Sequence, residues 1–215
     1  TPFDPKEKII EYRIRNLHGP LASQALHAFT DNLSSDSPAP GGGSVSALAG
    51  ALAASLTAMV ANLTFGKKKW HSLYDEMCRI SQESQDLKEQ LLNLIDADTE
   101  AFNNVMNAYR LPEGTKGQIS QRNKAINIAM KEASNVPFKT LQCCWEIMKY
   151  ANEVAEIGNP NSISDAGVAA HMAHAGAQGA ALNIYINLKD IDDIDYCRNI
   201  QLQAEKLINK TENIL

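Results

Sequence analysis

One aspartate, Asp98, occupies a position where the helical pattern of this sequence predicts an apolar side chain. It lies four residues after Leu94 and four before Phe102, and the apolar residues around it recur at three- and four-residue spacing, as on one face of a helix. A carboxyl group on a buried helix face loses hydration in its ionised form, so its pKa is expected to rise unless a cation or donors compensate. Asp98 is therefore a candidate acid–base catalyst, and a structural ion pair or a capped backbone amide is the alternative.

The opposite face of the same helix is predicted to be polar. It carries Asn93, Asp96, Glu100, Asn103 and Asn107. We interpret the segment as an amphipathic helix.

A glycine triplet precedes the most apolar stretch of the chain. Gly41, Gly42 and Gly43 form a loop of low bulk, and Ser44 is a good N-cap for the helix that follows. Backbone N–H groups at a helix N-terminus can bind an anion or a polarised oxygen. Glycine-rich caps are common, and the segment matches neither nucleotide-binding glycine motif.

Two further sets of polar residues are candidates for ligand contacts. Lys67, Lys68 and Lys69 follow the end of the apolar helix, either as a solvated cap or as a docking site for an acidic ligand tail. Asn183 and Asn187 share a helix face by their four-residue spacing. Their amides could bind a heterocycle or tie helices together.

No metal site is predicted. His171 and His174 lie three residues apart, which is compatible with metal ligation, but no third ligand follows at a recognisable spacing. The four cysteines, Cys78, Cys143, Cys144 and Cys197, contain no C-x-x-C spacing. We interpret them as the reduced thiols of an intracellular protein.

The element that positions these residues is the helix predicted over residues 44–64. It is apolar almost all the way round and rich in small side chains, so we expect it to be enclosed at the centre of a helical domain. Its length also suits a membrane span. Interrupting residues such as Ser55, Thr57 and Asn62, together with the absence of a second span, favour the core helix.

The remaining pattern predicts an all-α fold. Helices are expected from Pro20 to Leu33, over 68–109 with one break, over 118–134, over 138–157 after a kink or stop at Pro137, over 165–188, and over 193–214. The stretch 165–188 is also rich in small residues, and we expect it to pack against the central helix. Residues 20–215 form a single domain, and residues 1–19 form an arm or an interdomain connector.

Composition narrows the class of partner. The chain has 215 residues, a net charge of −5 and no basic block longer than residues 67–69, so a nucleic-acid partner is not expected. No signal peptide is visible, which with the cysteine pattern suggests the cytoplasm.

Three blocks of sequence resemble a known family. They resemble, in the same order, three blocks of the cyclodeaminase domain of formiminotransferase-cyclodeaminase. The blocks are PAPGGGSVSALAGALAASLTAMVANLTFGKKK, LIDADTEAF, and GNPNSISDAGVAA with NIYINLKDI. Relatives of that domain include methenyltetrahydrofolate cyclohydrolases. The segment PKEKIIEY resembles the connector to a formiminotransferase domain.

The resemblance implies an all-helical homodimer that binds folate in its clefts. It implies conversion of 5-formiminotetrahydrofolate to 5,10-methenyltetrahydrofolate and ammonia in histidine and one-carbon metabolism, with no metal or redox cofactor. The family's acid–base carboxylate falls on Asp98. The glycine loop with Ser44 would face the pterin or a folate carboxylate, and residues 67–69 could bind a polyglutamate tail.

Two other functions remain compatible with the sequence. A methenyltetrahydrofolate cyclohydrolase would use the same pocket to add water to the methenyl carbon, and the connector-like segment favours the cyclodeaminase over it. A folate-binding helical domain without activity is the alternative from another class, and Asp98 beside an intact glycine loop argues against it.

Overall fold

A computed structural model describes residues 19–214, and within them the secondary structure is helical, without strands. The α-helices of this described range are α1 (Leu26–Leu33), α2 (Gly42–Phe65), α3 (Tyr74–Tyr109), α4 (Lys116–Ile157), α5 (Ile163–Leu188) and α6 (Ile194–Glu212). Short 3-10 turns, Lys68–Leu73 and Pro160–Ser162, precede α3 and α5. The all-α prediction is confirmed. The predicted arm over residues 1–19 lies, apart from Gly19, outside the described residues.

Helix α2 begins two residues earlier than predicted. Its N-cap is Gly41, and Ser44 lies within the first turn rather than at the cap. The shift has a tertiary cause, because the N–H group of Ser44 donates to a carboxylate on α3 at 2.9 Å. A side chain from another helix therefore satisfies an N–H group that an N-cap residue would otherwise bind.

Helix α2 is central to the bundle and packs against α3, α4 and α5. It is nevertheless not enclosed on every side within one chain. Its small residues face inward, whereas Val45, Leu52, Met59 and Leu63 form a stripe that is 37–48% exposed. By length and composition this helix could cross a membrane, but 61% of its most apolar window is buried in the protein. Burial of that extent favours a core helix.

The two small-residue helices, α2 and α5, meet as predicted. A Cβ atom on Gly176 of α5 would lie 2.9 Å from the carbonyl oxygen of Ser46 and 3.2 Å from the nitrogen of Gly50, both on α2. The same atom would lie 2.9 Å from the sulfur of Cys144 on α4. The backbones of α2 and α5 and the side chain of Cys144 thus converge at a point that has no room for another side chain.

Helix α4 continues through Pro137, where the sequence predicted a kink or a stop. Its N-terminus is fixed by a capping box in which Thr115 and Gln118 exchange hydrogen bonds between side chain and backbone. Pro137 is buried in the middle of the helix and removes one hydrogen bond of the ladder there. Contacts with α3, α5 and α6 hold the two halves together.

Asp96, on the polar face of α3, is half-buried and hydrogen-bonded to the chain that precedes α1. Its two carboxylate oxygens accept the N–H groups of Leu21 and Ala22 at 2.7 and 3.1 Å. These residues lie in a turn that precedes α1, so α1 starts at Leu26 and not near Pro20. Asp96 therefore attaches the entering chain to α3.

Replacement of Gly176 by alanine tests the contact between α2 and α5. We expect Gly176→Ala to lower the free energy of unfolding by about 1–3 kcal/mol, because the new methyl group overpacks the junction. Gly167→Ala, on the same helix but with nothing within 4 Å of its Cβ position, should raise it by up to about 1 kcal/mol through helix propensity. Urea unfolding of both variants measures the difference, and equal effects would refute the close contact.

Candidate functional site

A cavity of about 270 Å³ opens where the N-terminus of α2 meets the second half of α3 and the C-terminal part of α5. Six of the residues singled out in the sequence line it: Gly41, Gly42, Gly43, Asp98, Asn183 and Asn187. Four helices or their flanking loops contribute to its wall. The tertiary structure thus gathers residues that are far apart in the chain around one carboxyl group.

Ser44 holds the carboxyl group of Asp98 through one of its two oxygens. Oδ2 accepts the N–H group of Ser44 at 2.9 Å and lies 3.1 Å from the Ser44 hydroxyl. A Cβ atom on Gly43 would overlap Oδ1 of Asp98, so the carboxyl group fits only because residue 43 has no side chain. No hydrogen bond from the described residues occupies Oδ1.

The Ser44 hydroxyl has two acceptors within reach. One is Oδ2 of Asp98, and the other is the carbonyl oxygen of Ile95 at 2.9 Å. A hydroxyl carries one proton and can donate to only one of them at a time. It can therefore donate to Asp98 when the carboxyl group is ionised and turn to Ile95 when Asp98 is protonated on Oδ1. In either protonation state of Asp98, at least one group of Ser44 donates a hydrogen bond to Oδ2.

Burial raises the pKa of Asp98 above its ordinary value, and the hydrogen bonds from the Ser44 hydroxyl and N–H group lower it in part. No lysine, arginine or histidine lines the cavity in the part of the chain that the structure describes. The expectation of a raised pKa therefore agrees with the structure, and the alternative of an ion pair does not. The alternative of a capped backbone amide is also present, because Asp98 does bind the Ser44 N–H group.

The rest of the cavity wall combines apolar groups with hydrogen-bond acceptors. Asp190, a second carboxylate, lies at the end of α5 and is exposed. Asp190 is not among the site residues predicted from the sequence, since nothing in its local pattern separates it from other acidic residues of a polar turn. The apolar lining comes from Ala101, Phe102, Val105, Met130 and Ala133, with Tyr109 at the rim. Such a surface suits a flat, partly apolar ligand with polar edges.

Several predicted ligand contacts lie elsewhere. Ser44 is fully buried behind Asp98 and does not line the cavity. Lys67, Lys68 and Lys69 follow the other end of α2, about 35 Å from the glycine triplet by helical rise. They are exposed, and Lys67 and Lys69 contact the ring of Trp70. Within one chain they lie too far from Asp98 to contact a ligand group that is bound beside it.

Metal ligation has no support from the described residues. Within residues 19–214, no group of three His, Cys, Asp or Glu side chains is placed to hold a metal ion. His171 is exposed and His174 is half-buried.

Replacement of Ser44 by alanine tests the hydrogen bonding of Asp98. The variant loses the hydroxyl and keeps the backbone N–H group, so we expect the pKa of Asp98 to rise further above its ordinary range. A ¹³C NMR titration of the Asp98 carboxyl carbon, assigned with Asp98→Asn, measures the change. Ser55→Ala serves as control, because its hydroxyl bonds only to Ala51 of the same helix. An unchanged or lower pKa in Ser44→Ala would contradict the arrangement.

Comparisons with known proteins agree on one family. The family model described as formiminotransferase-cyclodeaminase matches residues 25–206. A methenyltetrahydrofolate cyclohydrolase of Methylorubrum extorquens is 40% identical over 193 residues, which cover 90% of this chain and 89% of that protein. A formimidoyltransferase-cyclodeaminase of Rattus norvegicus is 37% identical over 196 residues, 90% of this chain but only 36% of the rat protein.

A solved structure has the same fold. The crystal structure of a formiminotetrahydrofolate cyclodeaminase from Thermotoga maritima superposes with a TM-score of 0.81 at 33% identity, covering 89% of this chain and 91% of that one. The matched family model, the nearly full-length relative and the shared fold lead to the same conclusion: this chain belongs to the formiminotransferase-cyclodeaminase family, whose members are enzymes of folate metabolism.

Proposed function

We propose that this protein is a formiminotetrahydrofolate cyclodeaminase, an ammonia-lyase that closes 5-formiminotetrahydrofolate to 5,10-methenyltetrahydrofolate. The observation that carries the proposal is the geometry of Asp98. One of its carboxylate oxygens is held by Ser44 and the other is free beside the cavity. Ring closure with loss of ammonia needs a proton carrier at that point.

The reaction requires one proton to move between two nitrogens of the substrate. N10 of the folate attacks the carbon of the protonated formimino group, a new C–N10 bond forms, and the N10 proton passes to Oδ1 of Asp98. The same carboxyl group then protonates the amino nitrogen on the tetrahedral carbon. The C–N bond to that nitrogen breaks, ammonia leaves, and the methenyl group remains. Asp98 ends as it began, ionised, and the reaction is redox-neutral, so the proposal includes no cofactor.

The environment of Asp98 supports this role. A carboxyl group whose pKa is raised by burial holds a proton more strongly than one in water, which favours its acceptance from N10. The apolar wall formed by Phe102, Val105 and Met130 is suited to pack against the pterin ring and to exclude water from the methenyl product.

A second candidate is the methenyltetrahydrofolate cyclohydrolase reaction. The observation that favours it is the relative of that name, which is 40% identical and aligned over 89% of its length. In that reaction water would add to the methenyl carbon and Asp98 would take a proton from the water. The C–N5 bond would then break as Asp98 returns the proton to N5, and the hydroxyl proton would be released, which leaves a formyl group on N10. Both reactions pass through a tetrahedral carbon between N5 and N10, so one site can serve either.

A homodimer would bring the lysine segment to the cavity. Besides the exposed stripe on α2, helix α5 also carries exposed apolar residues, among them Val168, Leu182 and Ile186, and exposed apolar side chains of this kind fit a contact with a second copy of the chain. A two-fold axis across α2 makes the paired helices antiparallel. The residues 67–69 of the partner subunit would then approach the glycine triplet, where they could bind folate or polyglutamate carboxylates.

The cellular setting is part of the same proposal. The chain spans 36% of the rat relative, whose name joins a formimidoyltransferase to a cyclodeaminase. We therefore propose that a formiminotransferase domain or partner supplies the substrate in the cytoplasm, within histidine degradation.

Assays of the wild-type protein beside the Asp98→Asn variant separate the three functions. With 5-formiminotetrahydrofolate we expect the wild-type protein to produce both methenyl absorbance and ammonia, and the variant to lose at least about 10²-fold in rate. Hydrolysis of methenyltetrahydrofolate without ammonia release from the formimino compound would instead support the cyclohydrolase. Folate binding with no turnover by the wild type would support the non-catalytic domain.

The stability of Asp98→Asn is an internal control. A carboxyl pKa raised above the ordinary 3.8 means that the folded state binds the proton more tightly than the unfolded state. Stability therefore falls as pH rises from the ordinary pKa through the raised one, and the ionised carboxylate destabilises the fold at neutral pH. The variant should be at least as stable as the wild type at pH 7, and this advantage should disappear on acidification.

The glycine triplet offers a graded test of the site. Gly43→Ala should reduce the rate by about 10²-fold or more, because its methyl group displaces the carboxyl group of Asp98. Gly42→Ala is the matched control, since its Cβ would lie 3.4 Å from the Asn183 amide, an ordinary contact. Steady-state kinetics of both variants decide the matter, and similar losses would argue against a specific need for glycine at 43.

A further inference from the structure

Pro137 leaves one carbonyl group of α4 without its helical partner. In a regular helix the N–H group of residue 137 would donate to the carbonyl oxygen of Ala133, but proline has no N–H group. Ala133 is only 8% exposed, and water has little access to that residue. An unpaired carbonyl in such a place is costly unless another donor reaches it.

The donor comes from α5. Nδ2 of Asn187 donates to the carbonyl oxygen of Ala133 at 2.8 Å. Because a carbonyl oxygen can only accept, the amide of Asn187 must turn its nitrogen toward Ala133. Its oxygen Oδ1 then faces away from α4, and no hydrogen bond within residues 19–214 occupies it. Asn187 and Ala133 both line the cavity.

Asn183, one turn earlier on α5, differs from Asn187 in the carbonyl group to which it donates. Its Nδ2 donates at 2.8 Å to the carbonyl oxygen of Gly179, which belongs to its own helix and already accepts a backbone N–H group there. Because the Gly179 carbonyl keeps its backbone partner, it does not depend on the side chain of Asn183 for a hydrogen bond. The orientation of Asn183 is therefore a local preference, whereas Asn187 completes a ladder that Pro137 interrupts.

We propose that Pro137 fixes Asn187 as a hydrogen-bond acceptor in the cavity, and that Oδ1 of Asn187 is a specificity-determining contact for the N–H edge of the pterin ring. The ligand part of this inference rests on the proposed function. A tetrahydropterin carries donors at N3, N8 and the 2-amino group. The other side chains that offer charge to the cavity, Asp98 and Asp190, also accept hydrogen bonds. The cavity thus receives the donor-rich ring, and the glutamate carboxylates remain outside.

A thermodynamic cycle tests the coupling between Pro137 and Asn187 without any substrate. Asn187→Ala should lower the melting temperature by roughly 2–10 °C, because it leaves the Ala133 carbonyl unpaired. In the Pro137→Ala background the restored N–H group supplies the missing donor, and Asn187→Ala should then cost only a small fraction of that shift. Asn183→Ala, the matched control, should cost the same in both backgrounds.

Binding tests the specificity role separately. Titration with 5-formyltetrahydrofolate, a stable compound with the same ring, should show Asn187→Ala weakening the affinity at least about tenfold in both backgrounds. A purely structural tie would weaken binding only where it also weakens the fold, that is, only with Pro137 present.

The outcomes are distinct. Equal melting shifts of Asn187→Ala in the two backgrounds would overturn the coupling. Coupling with unchanged affinity of Asn187→Ala in the Pro137→Ala background would overturn the specificity contact. If the wild-type protein neither binds the probe nor turns over a folate, the proposed function fails and the pterin assignment with it, and the melting cycle still decides the coupling.

Discussion

The hydrogen bond between the Ser44 N–H group and the Asp98 carboxylate links the fold to the site. Each partner has a need that the other meets: an N–H group in the first turn of α2 lacks a helical acceptor, and a half-buried carboxylate has lost part of its hydration. The bond forms only because Gly43 has no Cβ atom in the way. The start of α2, its contact with α3 and the position of Asp98 therefore depend on one another.

This arrangement holds the carboxyl group without neutralising it. An arginine or lysine beside Asp98 would stabilise the ionised form and hold its pKa low, whereas donors without net charge offset only part of the cost of burial. Asp98 thus keeps one oxygen fixed and a proton affinity above that of an exposed aspartate. The cost is a carboxylate that is partly removed from water, which is a common compromise between stability and activity.

The opposite wall of the cavity depends on how closely α5 approaches its neighbours. Gly176 and Gly50 let α5 and α2 touch at backbone distance beside Cys144 of α4. That contact lies about two turns before Asn183 and about three before Asn187, and so it sets where these amides enter the cavity. Pro137 then adds a bond from α4 to Asn187. Two glycines and one proline, the residue types with the lowest helix propensity, position the polar groups of this wall.

The sequence by itself determined the helical class, the meeting of the two small-residue helices and the exceptional place of Asp98, because helical periodicity and side-chain size are local properties. It also carried enough of the family pattern to indicate folate chemistry. It could not determine which way helices rotate against one another. Asp96 therefore proved to hold the entering chain, Ser44 to bind Asp98, and Asn187 to pair with a carbonyl on another helix. Each of these contacts joins residues more than fifty positions apart, and only the packed tertiary structure decides such pairs.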